Sequence, residues 1–223
     1  MAPERGPARH DLAWLRPSWR DGLREPVDLA LLPALEDWFA RGLPAVVRRL
    51  GPPRDDSVGL GVALPSRLGG ARAALRVAPG AVARLGPPLR LGEVVASAPA
   101  RWRAALLDLD AEAGRAGLSL GVYGSLLWQH LSGEPRVTAR SDVDLLVRPG
   151  DRAGLRRALA TLGARAAEAD PRLDGEAILG GGRAVAWREL LAPRGRVLVK
   201  SGDGATLVPL GEALGYLGAE PAA

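Results

Sequence analysis

Cysteine is absent from the 223 residues, which excludes a disulfide framework, a thiolate metal site and a cysteine nucleophile. Histidine is nearly absent: His10 and His130 are the only two, too few for a His-rich metal site or a histidine-pair acid–base mechanism. Any metal would therefore be a hard cation held by carboxylates. Lysine is reduced to Lys200, so the net charge of +5 is carried by arginines, which are scattered and interleaved with acids. That pattern does not call for nucleic acid, and a small phosphate-rich ligand would use the same charge. Long apolar runs are missing too. The longest stretch without Asp, Glu, Lys or Arg, residues 116–133, contains four glycines and three serines and breaks at Gly124-Ser125. It does not read as a membrane span. Arg5, Arg9, Asp11 and Arg16 occupy the N-terminus with no apolar segment among them, so no signal peptide is expected and a cytoplasmic location is.

What is present is the composition of a folded chain, 47% apolar and 25% charged, long enough for one large domain or two small ones. Gly (29) and Pro (19) make up about a fifth of it and predict short elements joined by tight turns. Leu29 to Phe39 has helical periodicity. Ala45 to Arg49, Ser57 to Leu64 and Arg72 to Val77 read as strands, with a turn at Pro65 to Gly70. A break near residues 86 to 99 suggests a boundary, dividing the chain into a module over 1–94 and a second domain over 95–223. A long amphipathic helix runs from Ala98-Pro99 to about Arg115. After it the pattern becomes regular. Leu118 to Tyr123 is a strand, Ser125 to Leu131 a helix, Asp142 to Val147 a strand and Asp151 to Leu162 a helix. Leu173 to Leu179, Ala184 to Leu191 and Val197 to Lys200 then read as strands. The expected fold is α/β (α+β), a mixed sheet with helices on one face and a small N-terminal α/β module.

Chemistry concentrates at Val122-Tyr-Gly-Ser-Leu-Leu-Trp128 and Arg140-Ser-Asp-Val-Asp-Leu-Leu-Val147. Gly124-Ser125 ends a strand and opens a helix, where bare backbone N–H groups and a serine hydroxyl can face a phosphate. Asp142 and Asp144 lie two apart on a strand, so both carboxylates project from one face, roughly 6–7 Å apart at Cα. Val143 and Leu145 point the other way. Two acids so placed repel each other and raise one another's pKa. A divalent cation removes that repulsion, and Mg²⁺ or Mn²⁺ suits one or two carboxylates plus phosphate oxygens and water.

The Gly-Ser and D-x-D pair resembles the site of the polymerase-beta-like nucleotidyltransferases, although sixteen residues separate Ser125 from Asp142, more than in minimal members. The longer stretch from Tyr123 to Pro135, followed by Ser141 to Leu146, resembles one family in particular. That is the phosphoribosyl-dephospho-CoA transferases, the holo-acyl-carrier-protein synthases of malonate decarboxylase. Arg9-His-Asp-Leu-Ala-Trp-Leu15, Gly42 to Arg49, Arg172-Leu-Asp-Gly-Glu176, Arg183 to Glu189 and Val197 to Ser201 extend the resemblance over most of the chain. It implies transfer of the prosthetic group from 2'-(5''-triphosphoribosyl)-3'-dephospho-CoA to a serine of the apo acyl carrier protein, with release of diphosphate. The implied partners are that nucleotide and that carrier protein, without nucleic acid or membrane. Asp142 and Asp144 would hold Mg²⁺, and Gly124 and Ser125 the triphosphate.

Such a site needs a third acid. With a turn at Gly180 to Arg183, Glu176 would pair across from Trp187, and Asp174 from Glu189, all on one face. Glu176 is the first candidate and Asp174 the second, against an exposed hairpin carrying ordinary charges. Arg140, Arg188 and Lys200, with Arg136, are candidate phosphate contacts among 29 arginines and one lysine. Trp128 reads as a packing residue and His130 as a packing or hydrogen-bonding residue, with a general-base role as the alternative. Two other functions stay open: a nucleotidyltransferase using an ordinary nucleoside triphosphate, and a non-catalytic binding module on the same fold.

Overall fold

A computed structural model describes residues 6–48, 56–64, 70–166, 170–192, 194–202 and 204–218. The chain separates after Pro88 into two units, Met1–Pro88 and Leu89–Ala223. Together they make a mixed α/β protein with two sheets.

In the first unit all strand pairings are antiparallel. The five strands are β1 (Leu12–Leu15), β2 (Ala45–Val47), β3 (Val58–Ala63), β4 (Arg72–Val77) and β5 (Val82–Gly86), in the order β4-β3-β2-β1-β5. Ala73, Leu75 and Val77 of β4 are buried and Arg72 and Ala74 exposed, the period of two that a sheet with one face in the core requires. Helix α1 (Leu32–Ala40) carries a proline in its first turn, where no N–H is needed. It buries Leu35 and Trp38, each worth about 1.5–3 kcal/mol on removal from water. The Trp38 indole N–H donates to the Pro44 carbonyl at 3.0 Å, so the one polar atom of that side chain is satisfied. The turn expected at Pro65 to Gly70 lies, but for Gly70, outside the described residues.

The second unit holds a six-stranded mixed sheet in the order β11-β10-β9-β8-β7-β6. Its strands are β6 (Leu120–Tyr123), β7 (Val143–Val147), β8 (Leu173–Ile178), β9 (Ala184–Ala186), β10 (Arg196–Lys200) and β11 (Ala205–Pro209). Among the described residues only the β7–β8 pair is parallel. That pair needs a crossover, and helix α5 (Arg152–Ala166) supplies it. The other helices are α2 (Leu91–Val94), α3 (Ala100–Arg115), α4 (Gly124–Ser132), α6 (Trp187–Leu191) and α7 (Leu210–Gly215). Helix α3 buries Trp102, Leu106, Leu109 and Ala113, spaced four, three and four apart along one face. It packs against α5, which packs in turn against α6. At that contact the Cα of Gly163 comes so close to Leu191 that a Cβ would stand 3.0 Å from it. No helix is long and apolar enough to cross a membrane among the described residues.

One expected strand is divided. Ala184 to Leu191 is extended only as far as Ala186, and residues from Trp187 onward are helical. Trp187 and Leu190 are buried three apart, which is helical spacing and would put them on opposite faces of a strand. The turn before β9 also differs from expectation. Leu179 N–H donates to the Arg183 carbonyl at 2.6 Å, closing a loop of three glycines, Gly180 to Gly182, rather than four residues. The register therefore slips by one: Glu176 lies opposite Ala186, not Trp187. Glu189, on α6, does not face Asp174 at all.

Candidate active site

Strand β6 ends at Tyr123 in extended conformation, and Gly124 turns the chain into α4 with φ of +66°. Across the antiparallel pair, Tyr123 is level with Asp144, so the first turn of α4 is built against that aspartate. The approach is closer than any side chain would allow: a Cβ on Gly124 would lie 1.9 Å from Asp144 Oδ2 and 2.8 Å from its Cγ. Glycine is required twice here, for the left-handed φ and for the room. Ser125 follows, partly buried, in the first turn of α4. The motif's two halves, sixteen residues apart in sequence, are thus in contact.

On the other side of β7 the parallel pairing sets Asp144 level with Asp174, and paired residues in a sheet share a face. Asp174 Oδ1 accepts the Gly175 N–H at 2.8 Å. The strands can lie so close only because residue 175 is glycine, since a Cβ there would fall 1.8 Å from the Leu145 carbonyl oxygen. Asp142, just before β7, takes a two-pronged ion pair from Arg172, through Nε to Oδ1 and Nη2 to Oδ2. The Val143 N–H donates to the Arg172 carbonyl at 2.9 Å, which fixes the backbones that carry the pair.

The electrostatics follow from this packing. Asp144 is pushed up to about 6, first by burial and then by the charges of Asp174, Asp142 and Glu176, with Arg172 opposing them. Asp142 and Asp144 beside a bared helix start are the kind of hard oxygen donors that Mg²⁺ or Mn²⁺ takes one or two of, with water and phosphate. Among the described residues no three His, Cys, Asp or Glu side chains are grouped so as to hold a metal ion. The cation nearest Asp142 is the protein's own guanidinium.

Glu176, the first candidate for the third acid, is employed elsewhere. It is 3% exposed and accepts from Lys200 Nζ at 2.8 Å. Its register partner on β7 is Leu146 rather than an aspartate. Lys200 and Glu176, nominated separately as phosphate and metal contacts, neutralise each other. Arg188 is likewise engaged: Nε and Nη2 both donate to the Leu173 carbonyl, at 2.9 and 2.6 Å, and the guanidinium lies 4.9 Å from the Trp187 ring centroid. Arg140 is exposed, and its side chain makes no hydrogen bond or ion pair among the described residues. Its backbone belongs to a turn in which Thr138 N–H donates to Ser141 Oγ at 2.9 Å.

Gln129 carries no signal in the sequence. Its Oε1 accepts the N–H groups of Arg136 and Val137, at 2.8 and 2.9 Å, and its Nε2 donates to the Ser97 carbonyl. Gln129 thus staples the loop that leads to Asp142 onto α4. His130 Nδ1 meets Ser97 Oγ at 2.9 Å beside it, a hydrogen-bonding role. Nothing in the local pattern marks the two contacts with Ser97, which close over more than thirty residues; the bonds to Arg136 and Val137 close over seven and eight.

Two family models match the chain. The phosphoribosyl-dephospho-CoA transferase MdcG N-terminal domain matches residues 8–88, and the corresponding C-terminal domain matches residues 89–210. Among curated proteins, one from Xanthomonas campestris pv. campestris (strain 8004) is 40% identical over 202 residues, covering 90% of this chain and 93% of that protein. One from Bradyrhizobium diazoefficiens is 39% identical, covering 89% of this chain and 88% of its own length. One from Azotobacter vinelandii is 35% identical, with 91% and 92% covered. All three are named phosphoribosyl-dephospho-CoA transferase. No solved structure matches.

Proposed function

This chain belongs to the phosphoribosyl-dephospho-CoA transferase family, and we propose that it attaches the prosthetic group of malonate decarboxylase. The donor is 2'-(5''-triphosphoribosyl)-3'-dephospho-CoA, and the acceptor is a serine hydroxyl of the apo acyl carrier protein. The serine oxygen forms a bond to the innermost phosphorus of the triphosphate, the bond from that phosphorus to the next phosphate's oxygen breaks, and diphosphate leaves. The product is a phosphodiester.

The observation that carries this reading is the contact of Asp144 with the bare Cα of Gly124, on a strand face it shares with Asp174. Donors for phosphate and donors for a hard cation meet there at one point. Asp142 and Asp144 would hold Mg²⁺ or Mn²⁺, with Asp174, rather than Glu176, level with Asp144 on the next strand. The cation, when bound, supplies neutralisation of the phosphates and of the developing charge. The chain's own residues do the rest. The N–H groups that open α4, with Ser125, orient the triphosphate. One of the aspartates, or a group near it, accepts the serine proton. Thirteen arginines against nine acids across residues 1–88 give the first unit most of the chain's net positive charge. That balance suits a role in seating the phosphate-rich nucleotide or the carrier protein.

The test is the intact mass of the apo carrier protein after incubation with the triphosphoribosyl nucleotide. The prosthetic group should appear on a serine with Mg²⁺ or Mn²⁺ and be absent in excess EDTA. Full labelling in EDTA would refute the metal site. Addition of AMP from ATP would point to a nucleotidyltransferase with an ordinary substrate.

A further inference from the structure

We infer that Arg172 is an internal counter-ion: it occupies Asp142 until the metal arrives, and then turns to the phosphates that accompany it. The inference rests on the assignment of the aspartates as metal ligands. Arg172 stands immediately before β8 and two residues before Asp174. Its guanidinium bonds both oxygens of Asp142 and, among the described residues, nothing else. A planar fork on both oxygens neutralises the carboxylate's charge and uses a lone pair of each, so metal and Arg172 compete for Asp142.

The competition is easily won. The Arg172 side chain is 63% exposed and that of Asp142 22%, and ion pairs open to water hold weakly. Release does not remove Arg172 from the site, because its carbonyl stays bonded to Val143 N–H at 2.9 Å. The freed fork then lies beside the three aspartates with its donors unspent, matched in shape to a phosphate. The two cations nominated from the sequence as phosphate contacts are tied down, Arg188 to the Leu173 carbonyl and Lys200 to Glu176. Arg172 is the cation next to the aspartates whose present partner is the one a metal would displace.

The experiment uses the full chain and two variants, Arg172→Ala and Arg172→Lys, with Mn²⁺ binding followed by electron paramagnetic resonance in the absence of substrate. Removing the competitor should tighten Mn²⁺ binding in Arg172→Ala by about two- to fivefold, the range an exposed pair commands. Inorganic diphosphate should then bind the Mn²⁺-loaded Arg172→Ala protein about tenfold more weakly than the wild type, because a bidentate charged contact is lost. Arg172→Lys, which keeps the charge but not the fork, should fall between. Unchanged or weaker Mn²⁺ binding in Arg172→Ala overturns the inference and leaves the metal assignment standing, as does unchanged diphosphate affinity. A wild type that binds no Mn²⁺ overturns both. Should neither variant fold, Arg172 is a structural tether and the inference fails.

Discussion

At the scale of the residue, Asp144 concentrates the molecule's tension. Its carboxylate is pressed against Gly124 and level with Asp174, and burial together with three acidic neighbours pushes it up to about 6 from 3.8. Between those two values the folded protein keeps a proton that the unfolded chain releases. Its contribution to stability is therefore favourable in acid, declines as pH rises from about 4, and is lost above about 6. Asp144→Asn removes the charged form. In metal-free protein it should raise the melting temperature at pH 8, and the gain should shrink through pH 6 and vanish near pH 4. Parallel melting profiles for wild type and variant would show that Asp144 is not strained. Asp142, Asp144 and Gly124 were legible in the sequence because each half of the motif is local. The choice between Asp174 and Glu176 was not. Alternation places both on one face of β8, and only the long-range parallel register decides which one meets Asp144.

At the scale of the element, β8 and β10 share the Glu176–Lys200 pair, with the carboxylate 3% and the ammonium 29% exposed. Breaking such a pair from one side takes the cation away from a buried carboxylate. Lys200→Met should destabilise by about 3 kcal/mol, the low end for buried pairs because Lys200 is partly exposed. Glu176→Gln should cost less, and the double variant should recover most of the loss from Lys200→Met. Thermal melts of the three proteins measure the coupling. Additive losses would mean that the two side chains act independently. Elements with clean periodicity were readable: β4 begins and ends at the residues expected, and α3 and α5 differ at their ends by a few residues. The division between β9 and α6 was not, because Ala184 to Leu191 is apolar enough for either state. The burial of Trp187 beneath its neighbours and the hydrogen bond from Leu198 N–H to Glu189 at 2.8 Å are tertiary facts. Strands β1, β5 and β11 and the short helices α2 and α7 were missed for the same reason. They span only four to six residues, too few to show a period.

At the scale of the whole molecule, the aspartates, Gly124, Ser125 and Arg172 all belong to the second unit, Leu89–Ala223. There basic and acidic residues nearly balance, seventeen against sixteen, so the positive charge that a polyanionic donor requires near the aspartates must be local rather than global. Arg172 and the start of α4 provide it. On the proposed function, these carboxylates perform the transfer and do not hold the fold together. The most direct measurement is the rate at which Asp144→Asn labels the apo carrier protein, read by intact mass beside a melting curve of the same preparation. Asparagine keeps the shape and removes the charge, and loss of one stabilising group in phosphoryl transfer is worth several kcal/mol. The account predicts a protein at least as heat-stable as the wild type at neutral pH whose transfer rate has fallen about a thousandfold or more. A stable Asp144→Asn protein that labels the carrier at the wild-type rate would contradict it.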